Sequence, residues 1–315
     1  MLLERVVQAK SELAELAVDR DTVLTVGVFD GVHLGHQHLL NKLKSIAADK
    51  DLFSGVVTFK RHPLETITPD RPVTYLTSLD ERLSLLEAQG INIVVPLTFD
   101  KDLANLNAKE FVLLLKESLR MKDLFIGPDF TLGKGQEGNA ARLTELGKEM
   151  DFTVDVASPF QSSKLTVSST AIRQALADGD MKTATRLLGR HFSLNGPVIH
   201  GDKRGRVISY PTANLNVAAD RALPPDGVYT TIAIVDNIKY DAVTNVGMRP
   251  TFNAQHRTVE VFLLNFHDDL YGKDITIELV EKIRPELKFS SANELSHQIE
   301  KDVQYAKNTL AKIGK

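Results

Sequence analysis

Apolar runs short enough to be buried strands recur at 23–28, 55–59, 91–97, 124–127 and 153–156. After the first of them Leu39, Leu40, Leu43, Ile46 and Ala47 recur at offsets of one, four, seven and eight, the stripe of an amphipathic helix packed on a sheet. Ser78-Leu79-Asp80-Glu81 opens a second helix as a capping box, and 107–119 forms a third. This alternation predicts an α/β unit, a parallel sheet wound with helices. Near residue 185 the period changes. A helix over 180–188 stops at Gly189, and short strand-like runs at 194–200, 227–236, 240–246, 257–265 and 274–283 alternate with Gly, Pro, Asn and Asp turns. A last helix follows near 293–310, so the second half reads as a small antiparallel β-barrel with a C-terminal helix. The expected domains are therefore 1–185 and 186–315.

A chain of 315 residues suits two domains, and 43% hydrophobic content is ordinary for real cores. A net charge of -3 leaves no basic footprint for nucleic acid, so affinity for phosphate must be local. With no cysteine, disulfides, thiolate metal sites and a cysteine nucleophile are excluded. The N-terminus interleaves charge with Leu and Val instead of forming a signal-peptide core, and the apolar run 111–115 is far too short to span a bilayer. The expectation is a cytoplasmic protein with no membrane or nucleic-acid partner, its oligomeric state open.

The chemistry starts at the end of the first strand, where Gly27-Val28-Phe29-Asp30-Gly31-Val32-His33-Leu34-Gly35-His36 turns into a helix. The first N–H groups of a helix lack internal partners and carry partial positive charge, which suits phosphate. Glycines at 27, 31 and 35 allow close backbone approach, and His33 and His36 can each donate a hydrogen bond to a polyphosphate. The bland alternative is that both histidines only cap and pack the helix start.

Ligands of wound parallel sheets lie beyond the carboxyl ends of the strands. After the second strand, Phe59 and His62-Pro63 can line a flat aromatic ligand, or form an ordinary turn. After the fourth, a glycine-rich loop carries Asp129, which can accept from a ring imide, and Lys134, which can meet phosphate. After the fifth, Ser168, Ser169 and Thr170 suit a helix cap or phosphate contacts, with Arg173 one turn on.

In the second half, Pro211 fixes the backbone before Thr212 and Asn214, whose oxygens project to one side of an extended segment and are hard ligands suited to Mg²⁺. The basic loop from His200 to Arg206, with Gly201, Lys203 and Arg206, can fold over ATP. Along 258–264 alternation leaves Glu260 beside Phe262 and Leu264, a carboxylate on an otherwise apolar face. Arg284 is a weaker suggestion for a ligand or phosphate contact, equally explained as a solvated strand-end arginine.

These motifs resemble a known family. The stretch 27–37 is similar to the HxGH signature of nucleotidyltransferases, in the Gly-x-Phe-Asp-Gly-Val-His form of bacterial FAD synthetases, and the Ser168-Ser169-Thr170-Ala171-Ile172-Arg173 element matches too. Arg61 stands where the family has proline, and Leu132 where it has a second phenylalanine. Residues 196–214 resemble riboflavin kinase and its Pro-Thr-Ala-Asn motif, with Ser209 and Met248 as departures. The resemblance implies a Rossmann-like nucleotidyltransferase domain followed by a riboflavin kinase barrel, acting on riboflavin, FMN and ATP with Mg²⁺ and yielding FMN and FAD. It implies Gly27, Phe29, Asp30 and Gly35 at the nucleotide, His33, His36 and Arg173 in adenylyl transfer, Thr212 and Asn214 on the metal, and Glu260 as catalytic base. The rivals are a monofunctional riboflavin kinase with a degenerate first domain, and a flavin-binding sensor without turnover.

Overall fold

A computed structural model describes residues 6–158, 161–162, 165–200, 210–251 and 254–313. By contacts the chain divides into two compact units, one comprising 1–74 and 78–167, the other 75–77 and 168–315.

The first unit runs α1 (Val7–Ala14), β1 (Thr22–Val26), α2 (Leu34–Asp49), β2 (Phe53–Phe59), α3 (Pro63–Ile67), α4 (Leu79–Glu87), β3 (Ile93–Leu97), α5 (Lys101–Ala104), α6 (Ala108–Leu119), β4 (Met121–Ile126), α7 (Ala140–Met150) and β5 (Thr153–Val156), then a short hairpin of β6 (Gln161–Ser162) and β7 (Leu165–Thr166). The first five strands form a parallel sheet in the order β3-β2-β1-β4-β5. The order reverses between β1 and β4, so the crevice for a ligand opens beyond the carboxyl end of β1. All five residues of β1 are buried because both faces are covered. Leu24 and Val26 join a core with Leu13 of α1 and Leu115 of α6, while Val23 faces Leu40 and Leu43 of α2.

The helices start where the polar residues require. Ser78 caps α4 by accepting from the Glu81 N–H, and Asn107 and Glu110 form a reciprocal capping box on α6. Several elements lie outside the periodic reading, α1 and α3 among them. The helix α1 is so short that its apolar positions, Ala9 and Leu13, carry too little pattern to detect. Residues after Arg61, read as a loop, form α3, because His62 caps it and Pro63 occupies its first turn.

The second unit contains α8 (Ser169–Ala177), α9 (Met181–Leu188), β8 (Phe192–Ile199), β9 (Ala213–Leu215), β10 (Gly227–Val235), β11 (Ile238–Thr251), β12 (Ala254–Leu263), β13 (Asp274–Arg284) and the C-terminal helix α10 (Ala292–Ile313). Its strands close an antiparallel barrel in the order β10-β11-β12-β9-β8-β13, matching the expected class. Gly189 ends α9 in the left-handed conformation, as its position predicts. Val259, Val261 and Leu263 are buried, whereas Phe262 joins Val303 and Ala306 of α10 in an apolar cluster. Among the described residues no helix is long and apolar enough to cross a membrane.

One carboxylate ties α1 to the loops beyond the sheet. Glu12 accepts from the Thr98 N–H at 2.8 Å, the Thr98 hydroxyl at 2.6 Å, Lys60 Nζ at 2.9 Å and Gln8 Nε2 at 2.8 Å. Burial pushes its pKa up, but the bonds from Thr98, Gln8 and Lys60 outweigh that and bring it from 4.5 down to about 2. A depressed carboxylate contributes stability that is full above pH 4.5 and fades as pH falls toward 2. Glu12→Gln should therefore flatten the acid limb of stability across that window. Denaturant titrations at stepped pH check this, and parallel slopes for the two proteins would refute it.

Candidate active sites

At the end of β1 the backbone leaves the sheet through a turn with three positive φ values: +52° at Phe29, +83° at Gly31 and +36° at Val32. Two of these residues are not glycine, and Val32 is β-branched, so the turn is strained. It delivers His33 to the N-cap of α2, where Nδ1 accepts from the His36 N–H at 3.2 Å. A neutral His33 then carries its proton on Nε2. The two imidazoles stack with centroids 3.6 Å apart and planes 13° from parallel. Gly35 is required here, since a Cβ would lie 3.2 Å from the His33 ring, and Gly27 likewise approaches the Phe29 ring. His36 Nδ1 is enclosed and has no hydrogen-bond partner among the described residues. Burial, then the neighbouring His33, holds the His36 pKa well below its ordinary value, so His36 is neutral near pH 7. Asp30 is also buried. An enclosed, unsatisfied imidazole at a helix N-terminus suits an anionic ligand.

A cavity of about 840 Å³ adjoins the same strand ends, lined by Phe59, His62, Pro63, Phe99, Phe130 and Lys134 among others. The loops after β2 and β4, far apart in sequence, thus meet at one hollow. Phe59 and Phe99 stand edge to face at 5.2 Å, and His62 Nδ1 accepts from the Leu64 N–H at 3.1 Å. Gly133, at φ +78°, passes so close to α6 that a Cβ would lie 2.6 Å from the Ala108 nitrogen. Leu132 is buried in the cavity wall, whereas Arg61 is exposed and pairs with Glu65 at 3.0 Å. Asp129 is exposed and does not line the cavity. Phe99 and Phe111, which do, were not singled out from the sequence, because their apolar character is indistinguishable from core.

In the second unit, Ser168 caps α8 by accepting from the Ala171 N–H at 3.2 Å, Ser169 and Thr170 occupy its first turn, and Arg173 is half-buried one turn on. On the barrel wall, Glu260 of β12 pairs with Asn214 of β9 on one side and Asn245 of β11 on the other. Directly opposed residues share a face, so the carboxylate stands between two amides. Glu260 lines a cavity of about 640 Å³ together with Thr212, Asn245, Phe262, Arg284 and Phe289. Thr212 also lines a neighbouring cavity of about 280 Å³ with Asp268, Asp269 and Tyr271. It therefore borders both hollows. Among the described residues no cluster of three His, Asp or Glu side chains can hold a metal by itself. A cation at Thr212 and Asn214 would draw its remaining oxygens from water and phosphate, which fits a hard ion carried with a nucleotide.

Arg284 is not a solvated strand-end residue. Its Nε donates to both oxygens of Asp302 at 3.0 Å and its Nη2 to Oδ2 at 2.8 Å, with the side chains only 14% and 3% exposed. Asp302 escaped the sequence reading, though its place on the stripe Leu295, Ile299, Asp302, Ala306 of α10 was a signal of the same kind as Glu260. Gly201, Lys203, Arg206 and Ser209 lie outside the described residues.

Comparison with known proteins agrees with both units. The FAD synthetase family matches residues 15–171 and the riboflavin kinase family residues 188–310. Proteins named bifunctional riboflavin kinase/FMN adenylyltransferase include one from Escherichia coli, 39% identical over 89% of this chain and 90% of its own length. One from Bacillus subtilis is 36% identical over 93% of this chain and 94% of its own length. A crystal structure described as a macrolide-efflux protein from Streptococcus pneumoniae is 32% identical, with a TM-score of 0.87 over 96% of this chain and 98% of that one. With an FAD synthetase domain, a riboflavin kinase domain and relatives matching nearly end to end, the chain belongs to the bifunctional riboflavin kinase/FMN adenylyltransferase family.

Proposed function

We propose that residues 186–315 phosphorylate riboflavin to FMN with ATP, and residues 1–185 adenylate FMN to FAD with release of pyrophosphate. The enzyme works on these small molecules in the cytoplasm. The observation that carries the reading is the Asn214, Glu260, Asn245 row beside a cavity whose wall Thr212 shares with its neighbour.

A ribityl hydroxyl is a neutral nucleophile, and a base within reach of its proton helps it attack. Glu260 takes that proton as the bond to the γ-phosphorus forms and ADP leaves. The riboflavin ring lies in the apolar hollow with Phe262 and Phe289, and Arg284 lines it while held by Asp302. Thr212 and Asn214 hold Mg²⁺, which when bound neutralises phosphate charge.

FMN presents a different problem, because its phosphate is already anionic. The first unit needs no base. Its task is to align an FMN oxygen with the α-phosphorus and to stabilise the charge that moves to pyrophosphate. His33, through Nε2, and His36 donate to the polyphosphate. Gly27, Phe29, Asp30 and Gly35 shape the nucleotide seat. The flavin lies against Phe59, His62 and Pro63 in the cavity wall.

Incubation of the purified protein with riboflavin, ATP and Mg²⁺, and separately with FMN, ATP and Mg²⁺, is expected to give FAD in both, with FMN as an intermediate in the first. FMN without FAD would make the protein a monofunctional kinase, and no product from folded protein would leave a flavin binder. Glu260→Gln should lower the riboflavin kinase kcat by about 10²- to 10⁴-fold while FMN adenylylation proceeds at the parent rate. His36→Ala should do the converse, costing about 10²- to 10³-fold in FAD formation with kinase activity retained. Full kinase activity in the first variant, or unchanged FAD synthesis in the second, sinks the corresponding assignment.

A further inference from the structure

The first unit encloses a charge that the adenylyl-transfer chemistry does not use. Arg82, on α4, is 1% exposed, among the largest fully buried side chains described. Burying a guanidinium is costly unless its donors are satisfied, and an aliphatic residue would fill the same volume without that cost. The reason for a guanidinium lies in what it bridges. Nη1 donates to the carbonyl of Val28 at 3.1 Å, and Nη2 to the carbonyls of Phe59 at 2.6 Å and Lys60 at 3.3 Å. These carbonyls lie in the loop beyond β1 and, on neighbouring β2, at the strand's last residue and in the loop that follows, and a planar fork spans them where a single donor cannot.

Each loop leads directly to a site residue. The Val28 carbonyl immediately precedes Phe29, the first of the positive-φ residues, and Phe29 packs against the His36 ring at 5.0 Å. Strained backbone persists only where its surroundings over-determine it. The same carbonyl also accepts from the Thr58 hydroxyl at 3.0 Å. On the other side, the Phe59 and Lys60 carbonyls lead to His62 and Pro63 in the wall of the aromatic cavity.

We propose that Arg82 is a positioning residue for adenylyl transfer: by clamping the Val28 and Phe59 carbonyls together, it keeps the histidine turn and the flavin loop at the separation that in-line attack requires. The proposal rests on assigning that chemistry to the first unit. Positioning lost at such a clamp lowers the rate of the bound complex more than it weakens binding.

The test uses the full chain carrying Arg82→Lys, which keeps the charge but cannot bridge both carbonyls. FAD formation from FMN is expected to lose about 10- to 100-fold in kcat, with KM for FMN and ATP within about threefold of the parent. Riboflavin kinase activity, measured on the same sample, is the internal control and should be unchanged. A folded Arg82→Lys protein whose adenylylation kcat lies within about twofold of the parent overturns the proposal, even if its melting temperature falls. If that variant does not fold, Thr58→Val removes the second bond to the same carbonyl with the guanidinium in place. It should then lower kcat by about 3- to 10-fold at constant KM, and an unchanged kcat overturns the proposal. A parent protein that makes no FAD would instead refute the first unit's assigned function, which separates the two failures.

Discussion

The turn that carries β1 into α2 bends through positive φ at Phe29, Gly31 and Val32, and everything proposed for the first unit depends on its keeping that shape. Its strain is opposed from several sides. Thr58 and Arg82 hold the carbonyl before it, the His36 N–H caps onto His33 after it, and Gly27 and Gly35 leave room for the rings on either flank. The result is a pair of stacked imidazoles at a helix N-terminus, with His36 held neutral and its Nδ1 enclosed before any ligand arrives. Polar groups arranged in advance need little reorganisation when charge develops, which is why such a site can act without a base.

The barrel unit meets the opposite demand by different means. Its nucleophile is a neutral hydroxyl, and the group proposed as its base is a carboxylate held by strand register. Pairing of β12 with β9 and β11 puts Glu260 between Asn214 and Asn245, and closure of the barrel leaves that register no freedom to slip. A one-residue shift would turn Glu260 toward the side now filled by Val259, Val261 and Leu263. The adjoining helix α10 completes the cavity and supplies Asp302, whose ion pair fixes Arg284 at the wall. One chain thus holds two phosphate chemistries, and their proposed sites differ in kind, a strained turn in one unit and sheet register in the other.

Much of this was legible in the residues. Both unit classes followed from hydrophobic period, because a wound parallel sheet and a closed antiparallel barrel bury their strands in different patterns. The HxGH turn and the Pro-Thr-Ala-Asn segment were recognisable because each resembles a known family signature in residue type and order. Glu260 stood out as a carboxylate on an apolar strand face. Asp302 carried the same kind of signal on a helix and was passed over, since a 3.6-residue period shows an intruding charge less plainly than a period of two.

What the sequence by itself determined was the local grammar: which segments are strands and helices, where the caps fall, and which short motifs are candidates for chemistry. These depend on neighbours within one or two turns of chain. Tertiary structure alone decided which distant residues share a site. It brought Phe99 and Phe111 beside Phe59 and His62, left Asp129 outside their cavity, and tied Arg284 to Asp302. It also ran Arg82 through the core to carbonyls beyond β1 and at the end of β2. Such contacts depend on the path of the backbone through space, and no periodicity along the chain encodes which carbonyl a buried guanidinium will reach.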